Sequence, residues 1–192
     1  MRYERIKRAL DVSAAMAGIL LLFVPGVIIS AAITLDSMGS PIFRQTRIGR
    51  GGVPFVCYKF RTMTKDAPHA RTKAQLENKD RYITRVGRFL RVTSLDELPQ
   101  LINVLKGSMS IVGPRPVIKE DSELIELRKI YGVYSIKPGM TGLAQVCGRD
   151  GISAQEKAML DRFYVQYSCF KADVIICLYT VKKVLKREGV TK

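Results

Sequence analysis

The sequence predicts a helix-rich α+β protein with an N-terminal membrane helix, and three observations carry that prediction. Residues 12–35, VSAAMAGILLLFVPGVIISAAITL, hold no charged side chain, and a helix of that length matches the ~30 Å hydrocarbon layer of a bilayer. Two short apolar runs, Ile42-Phe43 and Val53 to Tyr58, flank the turn-forming Gly49 to Gly52, which is the pattern of a small β-hairpin. Further on, apolar residues recur at helical intervals. The division that follows is a basic flank and anchor over residues 1–36 and a compact cytosolic, membrane-associated domain over 37–192.

Two features argue for a re-entrant helix over the alternative of a single spanning one. Pro25-Gly26 falls in its middle, where proline removes a backbone donor and should break or kink the helix. Basic residues stand at both ends: Arg2, Arg5, Lys7 and Arg8 before it, Arg44, Arg47 and Arg50 after it. The positive-inside bias holds such flanks in the cytosol. A re-entrant helix broken at Pro25, entering and leaving by the same face, satisfies both observations. No small-residue cleavage pattern marks it as a signal peptide.

After the hairpin, residues 65–81 are polar and charged and predict a solvated helix or loop. Leu98, Leu101, Ile102 and Leu105 keep helical spacing up to Gly107, a C-terminal stop. A Gly/Pro turn at Val112 to Pro116 precedes an amphipathic helix around Ser122 to Tyr131, and a second turn occupies Lys137 to Gly142. The tail, Ala172 to Glu188, puts Val174, Ile175, Leu178, Val181 and Leu185 on one stripe with Lys182, Lys183, Lys186 and Arg187 gathered at its end, the arrangement of an interfacial helix or of a C-terminus matched to the helix dipole.

Composition narrows the function. The 192 residues suit one domain with an anchor, and 47% apolar content suffices for a core. A net charge of +15 calls for anionic partners: nucleic acid, a phospholipid surface or phosphate-bearing substrates. Cys57, Cys147, Cys169 and Cys177 form no C-x-x-C pair, so neither a zinc knuckle nor a disulfide framework is indicated. The one histidine, His69, sits in polar surroundings, which excludes a His-rich metal site and disfavours a Ser-His-Asp triad. Nucleic acid is excluded as a partner because the cations punctuate Gly/Pro turns instead of forming a stripe with stacking aromatics.

Within this basic chain, TSLDELPQ places Asp96 beside Glu97. Ser94-x-x-Glu97 reads as a capping box, but Pro99 would then fall inside the helix, so a cap near Asp96 fits better and puts the acids on a helix's first turn. Lys59, Arg61, Arg88, Arg91, Arg115 and Arg149 stand around the turns, and several guanidinium forks converging on one cleft would hold a diphosphate. Neither a G-x-x-x-x-G-K-[ST] nor a G-x-G-x-x-G loop is present, nor a D-x-D pair. Two adjacent carboxylates amid cations can still do phosphoryl chemistry, since a carboxylate can attack phosphorus while Mg²⁺ screens the phosphates.

The chain resembles the monotopic phosphoglycosyl transferases, or bacterial sugar transferases, over nearly its whole length. The carriers are KRALD (Lys7 to Asp11), SPIFRQTRIG (Ser40 to Gly49), YKFRTM (Tyr58 to Met63), the long run GRFLRVTSLDELPQLINVLKGSMSIVGPRP (Gly87 to Pro116), KPGMTGLAQVCGR (Lys137 to Arg149), and the acids Asp161 and Asp173. The length is similar to that of minimal members. The resemblance implies transfer of a sugar-1-phosphate from a UDP-sugar to polyprenol (undecaprenyl) phosphate, releasing UMP at the cytoplasmic face of the bacterial inner membrane. Residues 37–192 would then be the catalytic domain of an enzyme that starts glycoconjugate or polysaccharide assembly.

By the same resemblance Asp96 would be the nucleophile and Glu97 its assistant, both touching Mg²⁺. Lys59, Arg115 and Arg149 would bind phosphate or nucleotide, Arg91 the lipid or intermediate phosphate, and Asp161 would line the substrate site. A homodimer is left open. The chain departs from the family at Val24-Pro25, where Ser-Pro is common, and at Ala154 and Phe163, where tryptophan is common. The competing reading is a basic, membrane-tethered binding protein in which Asp96-Glu97 only caps a helix.

Overall fold

Residues 2–67, 79–148 and 151–186 are described by the computed structural model. Helix α1 (Arg2–Asp36) leads into the hairpin β1 (Ile42–Ile48) and β2 (Pro54–Phe60). Helices α2 (Arg85–Thr93) and α3 (Gln100–Lys106) follow, then β3 (Ser110–Val112), α4 (Ser122–Ile130), β4 (Gly139–Thr141), α5 (Leu143–Cys147), α6 (Ala154–Tyr167) and α7 (Phe170–Lys186). This is the helix-rich α+β class expected, with small sheets set among the helices.

Helix α1 is long and apolar enough to cross a membrane, yet both of its ends dock on the rest of the chain. At the start, Tyr3 and Lys7 donate to Asp173 of α7, Arg8 donates to the Val104 and Leu105 carbonyls that end α3, and Asp11 accepts from Ile111 N. At the finish, the buried Arg61 guanidinium donates to the Ser37 and Met38 carbonyls, a cation at a helix C-terminus. Asp36 accepts from Val86 N at the start of α2. Between these clamps Ala15 packs with Leu101, Val104 and Met109, and Ile33 with Phe60 and Leu90. The opposite face leaves Leu20, Leu21, Phe23, Val24 and Ile28 exposed.

The break expected at Pro25 is not found: α1 is one helix with Pro25 inside it. Proline removes one hydrogen bond, but the two arms are held by separate clusters, Ile19 and Leu22 on one side and Ile29 and Ile33 on the other. That packing outweighs the local cost.

The hairpin forms as predicted, antiparallel with Phe43 opposite Lys59, Gln45 opposite Cys57 and Arg47 opposite Phe55. Since directly opposed residues share a face, Arg47 and Lys59 point the same way. The outer edge of β2 would leave unpaired backbone groups. The buried Asn103 side chain of α3 satisfies them, accepting from Tyr58 N at 3.0 Å and donating to Val56 O at 2.6 Å. That amide sets the distance between the hairpin and α3.

The acidic pair lies elsewhere than expected: Asp96 and Glu97 sit on a 3-10 turn, Leu95–Glu97, and not on the first turn of α3. Ser94 adopts a left-handed conformation (φ 57°) where α2 ends, and its side chain caps neither element, so the capping-box reading fails. Pro99 takes the N-cap position of α3, where a missing donor costs little. Gly107 ends α3 as predicted, with φ 83°.

The two Gly/Pro turns border a short parallel sheet, Ser110 opposite Gly139 and Val112 opposite Thr141. Its strands are too short for periodicity to reveal. Backbones cross closely here, so that a Cβ on Gly139 would collide with Gly113 N. In α7 the predicted stripe, Val174 to Leu185, is exposed, while Asp173 and Ile176 face inward.

Candidate active site

Three separate elements bring charge to the Leu95–Glu97 turn. Lys59 comes from β2, Arg115 from the turn after β3, and Arg91 from the last turn of α2. Lys59 Nζ lies 2.7 Å from Glu97 Oε1 and 4.0 Å from Asp96 Oδ2. Arg115 grips Glu97 with both terminal nitrogens, at 2.6 and 3.3 Å. Burial alone would raise the Glu97 carboxyl, but Arg115 and then Lys59 overcome it and hold the group well below the glutamate range. Glu97 is therefore an ionised, fully engaged carboxylate.

Asp96 is different. Its side chain is only 15% exposed, and among the described residues its carboxylate accepts no hydrogen bond. Burial pushes its pKa up, with the Lys59 charge opposing and the Glu97 charge adding to the rise. A desolvated carboxylate with uncommitted lone pairs is a competent nucleophile toward phosphorus, and it can also meet a cation. Arg91 is held by Thr62, with Nε 2.9 Å from Oγ1, close enough that its charge lowers the Asp96 pKa.

Of the sequence-predicted residues, Lys59, Arg91, Arg115, Asp96 and Glu97 come together. Asp161 does not join them. It is 1% exposed and paired with Arg128, whose Nε lies 2.9 Å from Oδ2. Arg128 in turn donates to the Arg115 carbonyl at 2.7 Å, so Asp161 reaches the site only through the turn that carries Arg115. It does not line the site as expected, because its carboxylate is committed to Arg128 in the interior. Arg149 and His69 lie outside the described residues. Sequence reasoning missed Arg47, Gln100 and Arg128 as neighbours of the site. For Arg47 the signal was available, since hairpin register puts it on the Lys59 face; for Arg128 there was none.

Among the described residues no group of three or more His, Cys, Asp or Glu side chains could hold a metal by itself. Two carboxylates with cationic neighbours do fit Mg²⁺, which takes one or two carboxylates and completes its shell with substrate phosphates and water. The oxygens of Asp96 are open to it, whereas those of Glu97 already carry Lys59 and Arg115.

The bacterial sugar transferase family profile matches residues 2–187. The chain is 43% identical over 188 residues to the uncharacterized sugar transferase EpsL of Bacillus subtilis, covering 96% of this chain and 90% of that protein. It is 44% identical to the UDP-glucose:undecaprenyl-phosphate glucose-1-phosphate transferase of Caulobacter vibrioides, covering 95% and 71%. It is 40% identical to the UDP-galactose-lipid carrier transferase of Erwinia amylovora, covering 96% of this chain but 41% of that larger protein. A match over this span, on a fold that gathers two carboxylates with three cations, assigns the chain to the bacterial sugar transferase family and makes it a transferase.

Proposed function

We propose that the protein transfers a sugar-1-phosphate from a UDP-sugar to a polyprenol phosphate, of which undecaprenyl phosphate is the form named for its relatives. Asp96 is the residue on which the reaction turns. Its carboxylate attacks the sugar-bearing β-phosphorus, the bond from that phosphorus to the UMP oxygen breaks, and UMP departs with the electron pair. An oxygen of the polyprenol phosphate then attacks the same phosphorus, the Asp96 acyl-phosphate bond breaks, and polyprenyl-diphosphate-sugar leaves with Asp96 restored. The observation that carries this reading is the division of labour in the pair: Glu97 is neutralised by Lys59 and Arg115, while buried Asp96 accepts no hydrogen bond from the described residues.

Lys59 and Arg115 stand where they can neutralise diphosphate oxygens as charge develops. Glu97 keeps both oriented, and Arg91 supplies a further phosphate ligand on the Asp96 side. Mg²⁺, if held on the open oxygens of Asp96, would supply additional charge neutralisation.

We infer that the enzyme sits on a membrane with both ends of α1 on one face. The clamps at Lys7, Arg8 and Asp11 and those at Asp36 and Arg61 tie the two ends to the same body, and the apolar outer faces of α1 and α7 then meet lipid. The cytoplasmic face of the bacterial inner membrane is the location this implies, by the flanking positive charge.

The test is UMP release by nanodisc-held protein given polyprenol phosphate, Mg²⁺ and a panel of UDP-sugars. Release from a donor, its loss in Asp96→Asn, and a phosphosugar adduct seen by intact mass in wild type only are the expected results. Release that survives Asp96→Asn would remove the aspartyl intermediate.

A further inference from the structure

Beside the Glu97 cluster an open recess is lined by Arg47, Cys57, Lys59, Gln100, Arg115 and Pro116. Asp96 is not among its walls. Three of the six are cations, and Glu97 pairs with only two of them.

Arg47 is the third. Its guanidinium donates to Gln45 Oε1 at 2.6 Å and to the Pro116 carbonyl at 3.2 Å. Both acceptors are neutral, and no described carboxylate lies within ion-pair distance of it. Burial first, and then the neighbouring Arg115 charge, lower its pKa to about 10, with Cys57, Glu97 and Glu120 only partly offsetting this. A desolvated cation beside a second cation is unfavourable by itself and is relieved by an anion. Gln100 adds a second pointer: the residue is 2% exposed, it lines the recess, and its side-chain amide hydrogen-bonds no described residue.

We propose that this recess receives the phosphate that departs with the nucleotide, with Arg47 and Gln100 as its ligands alongside Lys59 and Arg115. The assignment rests on the reaction proposed above. It follows from position. The phosphorus under attack must lie against Asp96, which is not part of the recess, while Lys59 borders both. A diphosphate lying across Lys59 therefore puts its sugar-bearing phosphate at Asp96 and the other in the recess. As the bridging bond breaks, charge grows on the departing phosphate, and a guanidinium fork held ready there stabilises it.

The experiment compares UMP and uridine binding by calorimetry to nanodisc-held wild type, Arg47→Gln, Arg47→Lys and Gln100→Leu. It also follows both half-reactions by intact mass. Arg47→Gln is expected to weaken UMP by about tenfold or more, the loss of a charge-assisted contact, with uridine unchanged. Arg47→Lys should recover part of this, and Gln100→Leu should show a smaller loss in the same direction. Adduct formation from the UDP-sugar should slow in Arg47→Gln, while discharge of a preformed adduct by polyprenol phosphate should not. Equal losses for UMP and uridine would make Arg47 merely structural and overturn the proposal. So would unchanged UMP affinity, or slowing of discharge alone, which would give the recess to the lipid phosphate. If Arg47→Gln does not fold, Arg47→Lys and Gln100→Leu decide alone. Phosphate-dependent UMP binding through Arg47 without any adduct would reject the covalent reaction and leave the recess standing.

Discussion

Arg128 and Asp161 meet in the interior as a buried ion pair, with Arg128 Nε 2.9 Å from Asp161 Oδ2. The same guanidinium holds the Arg115 carbonyl at 2.7 Å. Removing either partner strands a buried charge, which costs about 3–5 kcal/mol. Asp161→Asn and Arg128→Met should therefore lower Tm markedly. If the pair positions Arg115, Asp161→Asn assayed at a temperature where it remains folded should raise KM for the UDP-sugar more than it lowers kcat. A stability loss with unchanged kinetics would limit the pair to a structural role.

Asp96→Asn should reduce UMP release by about three orders of magnitude or more, as loss of a covalent nucleophile does. Stability should move the other way. Because burial raises the Asp96 pKa in the folded state, its charge disfavours folding once pH exceeds the ordinary aspartate value of ~3.9. The Asn variant should melt higher than wild type at pH 7 and no higher below that value. A lower Tm at pH 7 would contradict the environment described for Asp96.

Glu97 carries the opposite sign. Its folded pKa is depressed by Arg115 and Lys59, so its stabilising contribution is complete above ~4.3 and fades as pH falls below it. Glu97→Gln should destabilise at pH 7, and the gap from wild type should narrow in acid. Between the two groups, Asp96 protonates first on acidification. The acid limb of adduct formation should accordingly lie above the ordinary aspartate range and persist in Glu97→Gln; a limb at or below that range would show that another group controls the step.

Gly87 sits where α2 crosses the end of the hairpin, and a Cβ there would collide with Thr62 O. Thr62 is also the residue that holds Arg91. Gly87→Ala should cost about 1–3 kcal/mol as overpacking of a close backbone contact and weaken catalysis through Arg91. Urea unfolding with parallel adduct kinetics measures both, and an unchanged midpoint would deny the close approach.

The two ends of α1 should share one face of the membrane. Glu4→Cys and Met38→Cys, each in a background with the native cysteines replaced, should both react with an impermeant reagent in inverted membrane vesicles and neither in intact cells. Reaction of one in each preparation would mean a spanning helix.

Local chemistry was enough to read the apolar N-terminal run, the hairpin, the stop at Gly107, the outward stripe of α7 and the acidic pair, while family resemblance singled out Lys59 and Arg115 for the same site. Each rests on an uncharged run, glycines at a turn, helical spacing, or a motif read residue by residue. Packing between distant segments settled the rest. Pro25 stays inside one helix because Leu22 packs with the Ala15 cluster and Ile33 with Phe60 and Leu90, partners supplied from far along the chain. The acids sit on a 3-10 turn because left-handed Ser94 ends α2 before α3 can begin. The β3–β4 pairing joins Ser110 to Gly139 across the whole of α4, so no short window of sequence contains it. Asp161 left the site for the same reason: its partner, Arg128, lies 33 residues away on another helix, and burial of that pair is a property of the packed core alone.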